Sequence, residues 1–234
     1  RSYAIQPGAP GGAGRRSSDE VEGASLRLTL HAGLQHVAEQ ALESVRAETS
    51  ARTASAVVLD PATGEILAMA TVPTFDPNRW SDTTAEQRRC RPIADAYEPG
   101  STFKVITAAA AIEAGTLGPD DVVNCGGGSL TIGRKTIREH GRAAWAALPL
   151  IDVLAHSSNV GAAYIGLAMG RTNFHRAVRA FGFGTRSGVD LEGENPGLLR
   201  DPSTWSALSL PSISFGQEIG VNALQLARAF SAIA

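Results

Sequence analysis

Apolar and polar positions fall into two alternating rhythms along the chain. From Leu34, the apolar residues Val37, Ala38, Ala41, Leu42 and Val45 recur at i+3, i+4, i+7, i+8 and i+11, which predicts an amphipathic helix. Alternation over residues 25–30 predicts a short strand just before it. Residues 54–59 and 65–70 read as two β-type runs joined by Asp60-Pro61-Ala62-Thr63-Gly64. Proline presets φ in such a turn and glycine accepts a positive φ, so a β-hairpin is expected. Tyr97-Glu98-Pro99-Gly100 then breaks the chain before a strongly helical run over 101–114, closed by Gly115. Further helices are predicted over 148–155, over 160–169 ending at Gly170, over 173–181 ending at Gly182, and over 222–234, where Leu224, Ala227 and Phe230 share a face. Between the helix over 101–114 and that over 148–155, residues 121–138 carry a glycine cluster and a short alternation that predict a small hairpin. Residues 1–24, with Pro7, Pro10 and four closely spaced glycines, have linker composition. The pattern is that of an α/β (α+β) domain over 25–234 whose sheet still lacks strands.

Composition narrows the class. The 234 residues are 43% apolar and 19% charged with a formal net charge of −2, which excludes disorder, a collagen repeat and a membrane bundle. There is no basic block, so a nucleic-acid partner is not expected. No run approaches the roughly 18 to 20 apolar residues of a membrane span. The chain begins at Arg1 without Met and stops at Ala234 inside a helical pattern, so the expectation is of a piece of a longer polypeptide. Cys90 and Cys125 have no metal-type spacing, and two buried free thiols are expected. No metal or cofactor is expected either.

Lysine is scarce: beside 19 arginines there are only Lys104 and Lys135. Random placement gives about 0.16 Ser-x-x-Lys matches in such a chain, yet Ser101-Thr102-Phe103-Lys104 is one. The run around Lys104 is almost wholly apolar or small, so the helix is expected to be buried on most sides. Burial of an ammonium disfavours its charged form and lowers its pKa. Ser101 lies one turn upstream on the same face, within reach of that amine, and at a helix start where N–H groups and the positive dipole end suit a developing oxyanion. A nucleophile with an adjacent base is the chemistry expected of the pair. The competing structural account is a Ser N-cap followed by a lysine that snorkels to water. The apolar surroundings favour the catalytic account.

Ser157-Ser158-Asn159 falls at a break between two predicted helices, where side chains can point into a cleft. Ser157 is a candidate proton relay and Asn159 a candidate orienting group, with capping of the following helix as the plain alternative. His156 is adjacent, but a lone histidine beside an apolar helix is more often structural, and no catalytic role is assigned to it.

Three stretches, Tyr97-Glu98-Pro99-Gly100-Ser101-Thr102-Phe103-Lys104, Ser157-Ser158-Asn159-Val160-Gly161-Ala162-Ala163 and Phe215-Gly216-Gln217-Glu218-Ile219-Gly220-Val221, closely resemble the transpeptidase domain of class B penicillin-binding proteins. The hairpin around Asp60 and the loop Phe75-Asp76-Pro77-Asn78 fit the same family, and the resemblance spans about residues 25–234. Division-type (septal) members are the most similar. The resemblance implies the penicillin-binding protein transpeptidase fold shared with serine β-lactamases: a sheet flanked by helices, a helical subdomain, and an active site in the cleft between them. It also implies D,D-transpeptidation of peptidoglycan stem peptides through a serine acyl-enzyme inhibited by β-lactams. Ser101 would be the nucleophile, Lys104 its base, Ser157 a proton shuttle and Asn159 a holder of Lys104 and of the substrate amide; Ser101, Ser157 and Asn159 would contact substrate. The identity of the acylation base is disputed across this superfamily, and Lys104 is the favoured assignment here. The family further implies a single-pass anchor in the bacterial cytoplasmic membrane, an extracytoplasmic catalytic domain, and a membrane glycan polymerase and divisome proteins as partners.

One family feature is missing. The third motif, Lys-Thr-Gly on a strand edging the cleft, does not occur: Lys135-Thr136-Ile137 lacks the glycine and precedes the Ser-Ser-Asn motif. In the family that strand follows the last helix predicted here and supplies a second oxyanion N–H, whose loss costs about 10²- to 10³-fold in kcat. A polypeptide limited to these residues is therefore expected to be inactive and poorly folded. The rival functions are a non-catalytic scaffold of cell-wall synthesis and a β-lactam sensor or β-lactamase, the latter lacking a recognisable water-activating residue.

Overall fold

The hairpin organises the N-terminal part of the fold. In the computed structural model, which describes residues 25–234 so that the linker expected over 1–24 lies outside the described residues, helix α1 (Ala32–Thr49) precedes strands β1 (Ala54–Leu59) and β2 (Ile66–Val72). The strands pair antiparallel with Ala56 opposite Ala70 and Val57 opposite Met69. The turn closes as its chemistry demands: the Asp60 carboxylate accepts from the N–H groups of Ala62 (2.8 Å) and Thr63 (3.1 Å), and Gly64 has φ of +75°. Residues 25–30 are not a strand. They run beside the hairpin, joined to it by His31 N–H to Leu67 O and by the Thr29 hydroxyl to Ile66 O.

Helix α1 stands where its periodicity predicts, but only part of its apolar stripe makes the contact. Val37 and Val45 remain 61% and 51% exposed, while Gln35, Ala38 and Leu42 face the hairpin. The reason is polar: the Gln35 amide accepts from Met69 N–H (2.9 Å) and donates to Met69 O (3.1 Å), satisfying backbone groups of β2 that lack a strand partner there.

A short helix α2 (Arg91–Ala94) leads to the core of the domain, α3 (Phe103–Glu113), which a 3-10 turn, Gly100–Thr102, introduces. Phe103, Ile106, Ala108, Ala110 and Ala111 of α3 are buried, as the uniformly apolar run requires. The excursion over 121–138 holds the expected small hairpin, over 129–138, and a second pairing that reaches beyond it. Strand β3 (Val122–Asn124) pairs with β6 (Ala147–Pro149), and β4 (Ser129–Ile132) pairs with β5 (Lys135–Arg138), both antiparallel. Helices α4 (Leu150–Ala155), α5 (Asn159–Met169) and α6 (Arg171–Ala180) follow, then α7 (Ser209–Ser214), which the periodicity did not predict, and α8 (Ala223–Ser231). Helix α5 lies between α3 and α7, approaching α7 so closely that a Cβ at Gly166 would overlap Ser214 Oγ. Asn222 and Gln225 form a reciprocal capping box that starts α8.

Each described sheet is a pair of strands, and α8 packs on β1 while α1 packs on β2. Both thiols are free, but only Cys125 is buried; Cys90 is half-buried, with its sulfur against Met69. No helix among the described residues is long and apolar enough to cross a membrane.

Candidate active site

Ser101 is placed by two segments that lace together. Tyr97 and Val221 exchange both backbone hydrogen bonds at 2.9 Å, Gly100 N–H donates to Gly216 O at 3.0 Å, and the Glu98 carboxylate accepts from Glu218 N–H at 2.8 Å. Gly216 has φ of +82° and sits so close to the turn that a Cβ would overlap Gly100 O. Only glycine meets both demands. The Glu218 carboxylate is held by Arg200 (2.5 Å) and Ser209 (2.8 Å), which fixes the far side of this latch. Ser101 therefore stands exposed in the 3-10 turn that runs into α3, at the positive end of that helix.

Lys104 begins one turn further on, and the structure buries it to 2% exposure. Its amine makes three hydrogen bonds: to Ser157 O (2.5 Å), Ser157 Oγ (2.9 Å) and Asn159 Oδ1 (2.7 Å). All three ammonium hydrogens thus go to the Ser-Ser-Asn segment and none to Ser101. No hydrogen bond joins Ser101 and Lys104 in this structure, although helical spacing sets them on one face; the donors of the buried cation are taken by acceptors of the Ser-Ser-Asn segment. Burial pushes the amine down to about 8, while the nearby Glu139 carboxylate opposes that shift. At pH 7 an amine of that pKa is neutral in about a tenth of molecules, so it can both give and take a proton near neutrality.

Ser157 adopts φ of +53° between α4 and α5, which turns its carbonyl and hydroxyl together onto Lys104. Ser158 is the N-cap of α5, its Oγ accepting from Gly161 N–H at 2.8 Å. Capping and contact with Lys104 thus fall to different residues of this motif. Asn159 opens α5; its Nδ2 donates to Arg138 O at 3.2 Å, which leaves Oδ1 aimed at Lys104. The structure brings Lys104, Ser157 and Asn159 into contact and sets Ser101 on the adjoining turn. His156 stacks on Trp145, ring centroids 5.1 Å apart, and takes no part in the lysine cluster.

Sequence reasoning missed Glu139. This carboxylate, 8% exposed, accepts from the Ser158 hydroxyl, from Asn159 N–H (2.7 Å) and from Val160 N–H (3.3 Å). Its sequence signal, one acid in Arg138-Glu139-His140 after a predicted strand, does not distinguish it from a solvated charge.

The arrangement sets an exposed serine at a helix start one turn from a buried lysine of lowered pKa held by Ser and Asn, so a nucleophile and a group able to take a proton occupy neighbouring turns. Residues 54–234 match the penicillin binding protein transpeptidase domain, and the chain belongs to that family. It is 35% identical over 224 residues to the penicillin-binding protein PbpB of Mycolicibacterium smegmatis, covering 95% of this chain and 34% of the relative. It is 35% identical over 217 residues to the peptidoglycan D,D-transpeptidase FtsI of Escherichia coli, covering 93% of this chain and 36% of the relative. Among solved structures, the transpeptidase domain of Burkholderia pseudomallei penicillin-binding protein 3 superposes with a TM-score of 0.78 at 26% identity, over 88% of this chain and 57% of that one. The expected class B, division-type transpeptidase fold is thereby met, and the chain spans about a third of the length of the curated relatives.

Proposed function

We propose that this domain is the acyl-transfer centre of a peptidoglycan D,D-transpeptidase, with Ser101 as nucleophile. The observation that supports it most is the Lys104 amine: deeply buried, lowered to about 8, and held at 2.7 Å by Asn159 and 2.9 Å by Ser157 beside an exposed serine. A scaffold gains nothing from carrying that cost. In this reading the neutral Lys104 amine takes the Ser101 proton as Oγ attacks the carbonyl of the penultimate D-Ala. The proton passes, with Ser157 as shuttle, to the nitrogen of the terminal D-Ala, which leaves. The amine of a second stem peptide then attacks the ester, and the proton it loses passes through Lys104 to Ser101 Oγ, which is freed as the hydroxyl. β-Lactams acylate the same Oγ. Because the ammonium has no lone pair, the acylation rate is expected to rise with pH through about 8 and then level off, as a pH series of penicillin labelling will measure.

In this reading the Lys-Thr-Gly strand of the family completes the site. Strand β1, paired with β2 alone among the described residues, and α8 wall a groove of about 320 Å³ that reaches Thr102, next to Ser101. The 234-residue chain by itself is therefore expected to label with fluorescent penicillin at least about 100-fold more slowly than the full-length protein; equal rates would refute this part. In the same reading the domain works outside the cytoplasmic membrane on a singly anchored protein, with glycan polymerase and divisome partners.

D-Ala release from a stem-peptide analogue by the full-length protein, with Ser101→Ala as control, tests the function. Release with a long-lived penicilloyl adduct fits the transpeptidase. An adduct that turns over rapidly indicates a β-lactamase instead, and neither release nor adduct indicates a scaffold.

A further inference from the structure

Glu139 lies outside the motif residues, yet it touches the segment that holds the base. Both of its oxygens are occupied: Oε1 by the Ser158 hydroxyl and Val160 N–H, Oε2 by Asn159 N–H. These are the N-cap and first two residues of α5, so the carboxylate sits on the positive end of an 11-residue helix. The end of β5, just before it, grips the same place, since Asn159 Nδ2 donates to Arg138 O and Glu139 N–H donates to Gly128 O at 3.1 Å. The orientation of the Asn159 amide toward Lys104 is therefore decided by residues 138 and 139. Lys104 lies one Asn159 side chain away, and the Glu139 charge favours its ammonium form.

We propose that Glu139 is a positioning residue for acylation: its buried carboxylate pins Ser158, Asn159 and Val160, holds the Asn159 amide against Lys104, and serves as the remote counter-charge of that amine. The proposal rests on the acyl-enzyme reading above. A helix cap alone explains the contacts to Ser158 and Val160 but not the electrostatic link to Lys104. Other ionisable groups on the elements packed against α3 are Asp152 on α4, Tyr164 on α5, and Arg171, His175, Arg176 and Arg179 on α6; none acts on the Lys104 amine as Glu139 does. Cys125, beside Ser158, has its thiol pushed up by burial. The sign follows: Glu139 favours the ammonium, so removing its charge favours the free amine at lower pH.

The test measures the second-order rate of acylation by fluorescent penicillin from pH 5.5 to 10, on the full-length wild type, Glu139→Gln and Glu139→Asp. The Gln variant is expected to acylate about 10- to 100-fold more slowly at the plateau, because the Asn159 clamp loosens, with its ascending limb moved to lower pH. The Asp variant is expected to keep the limb at the wild-type pH and to acylate faster than the Gln variant but slower than wild type. A Gln variant that loses rate equally at every pH, with the limb unmoved, makes Glu139 a mere cap and overturns the proposal, as does a wild-type rate. Should the Gln variant fail to melt cooperatively, the Asp variant decides: a displaced limb or a full wild-type rate overturns it. Labelling that survives Ser101→Ala overturns the acyl-enzyme reading, and this proposal with it.

Discussion

Replacing Lys104 with arginine in the full-length protein is expected to lower penicillin acylation at pH 7.5 by about 10⁴-fold or more, the scale on which serine acyl enzymes lose activity when the base fails. The side chain keeps its positive charge and much of its length, so it tests the proton and not merely the cation. A guanidinium does not release a proton in the accessible pH range, whereas the Lys104 amine does so at about pH 8. A pH series separates the two further: the rise through pH 8 is expected to vanish in the variant. Retention of a rate within tenfold of wild type would mean that another group takes the Ser101 proton. Circular dichroism of the variant establishes that the loss is chemical.

The second large effect is expected at Gly216. A Cβ there would overlap Gly100 O and stand 2.6 Å from Gly100 N, in a backbone with φ of +82°. Relief requires the latch between residues 97–100 and 216–221 to open, and the Gly100 N–H to Gly216 O bond at 3.0 Å to break. A displacement of the order of 1 Å at Ser101 is enough for about a 100-fold loss of rate. Gly216→Ala is therefore expected to lower acylation at least about 100-fold and the Tm by about 5–10 °C, from left-handed strain and lost packing of about 2–3 kcal/mol. Because Gly216 touches no reacting atom, the pH at which the rate rises is expected to stay at the wild-type value. A shifted limb would show that the loop tunes Lys104 as well as placing Ser101.

These two residues illustrate what the chain discloses before it is folded. Lys104 was legible because lysine is so rare here and because its neighbours are apolar; burial and a lowered pKa both follow from that pattern. Its partners were legible only in part. Helical spacing points Lys104 at Ser101, but the hydrogen bonds go to Ser157 and Asn159, 53 and 55 residues away. Nothing in local periodicity ranks a distant carbonyl above a near hydroxyl. The folded chain does so because a buried ammonium must satisfy all its hydrogens.

The demand for glycine at position 216 and the burial of Glu139 were silent for related reasons. The need for glycine at position 216 comes from a backbone 116 residues earlier, and the burial of Glu139 comes from the start of a helix 20 residues later. Helix α1 makes the converse point. Its apolar stripe gave the right element but only part of the contact face, because the polar edge of β2 recruits Gln35 beside Ala38 and Leu42 and leaves Val37 exposed. Periodicity identifies elements whose interior is apolar throughout, such as α3 and α5, and misplaces those that meet a strand edge.

The central claim is that Ser101 is the acylated nucleophile of a site assembled by Lys104, Ser157 and Asn159. Mass spectrometry of the full-length protein after incubation with a penicillin tests it most directly. The account predicts a single penicilloyl group per chain, carried on the peptide that contains Ser101 and absent from Ser101→Ala. An adduct on any other residue, or one that persists in Ser101→Ala, would contradict it.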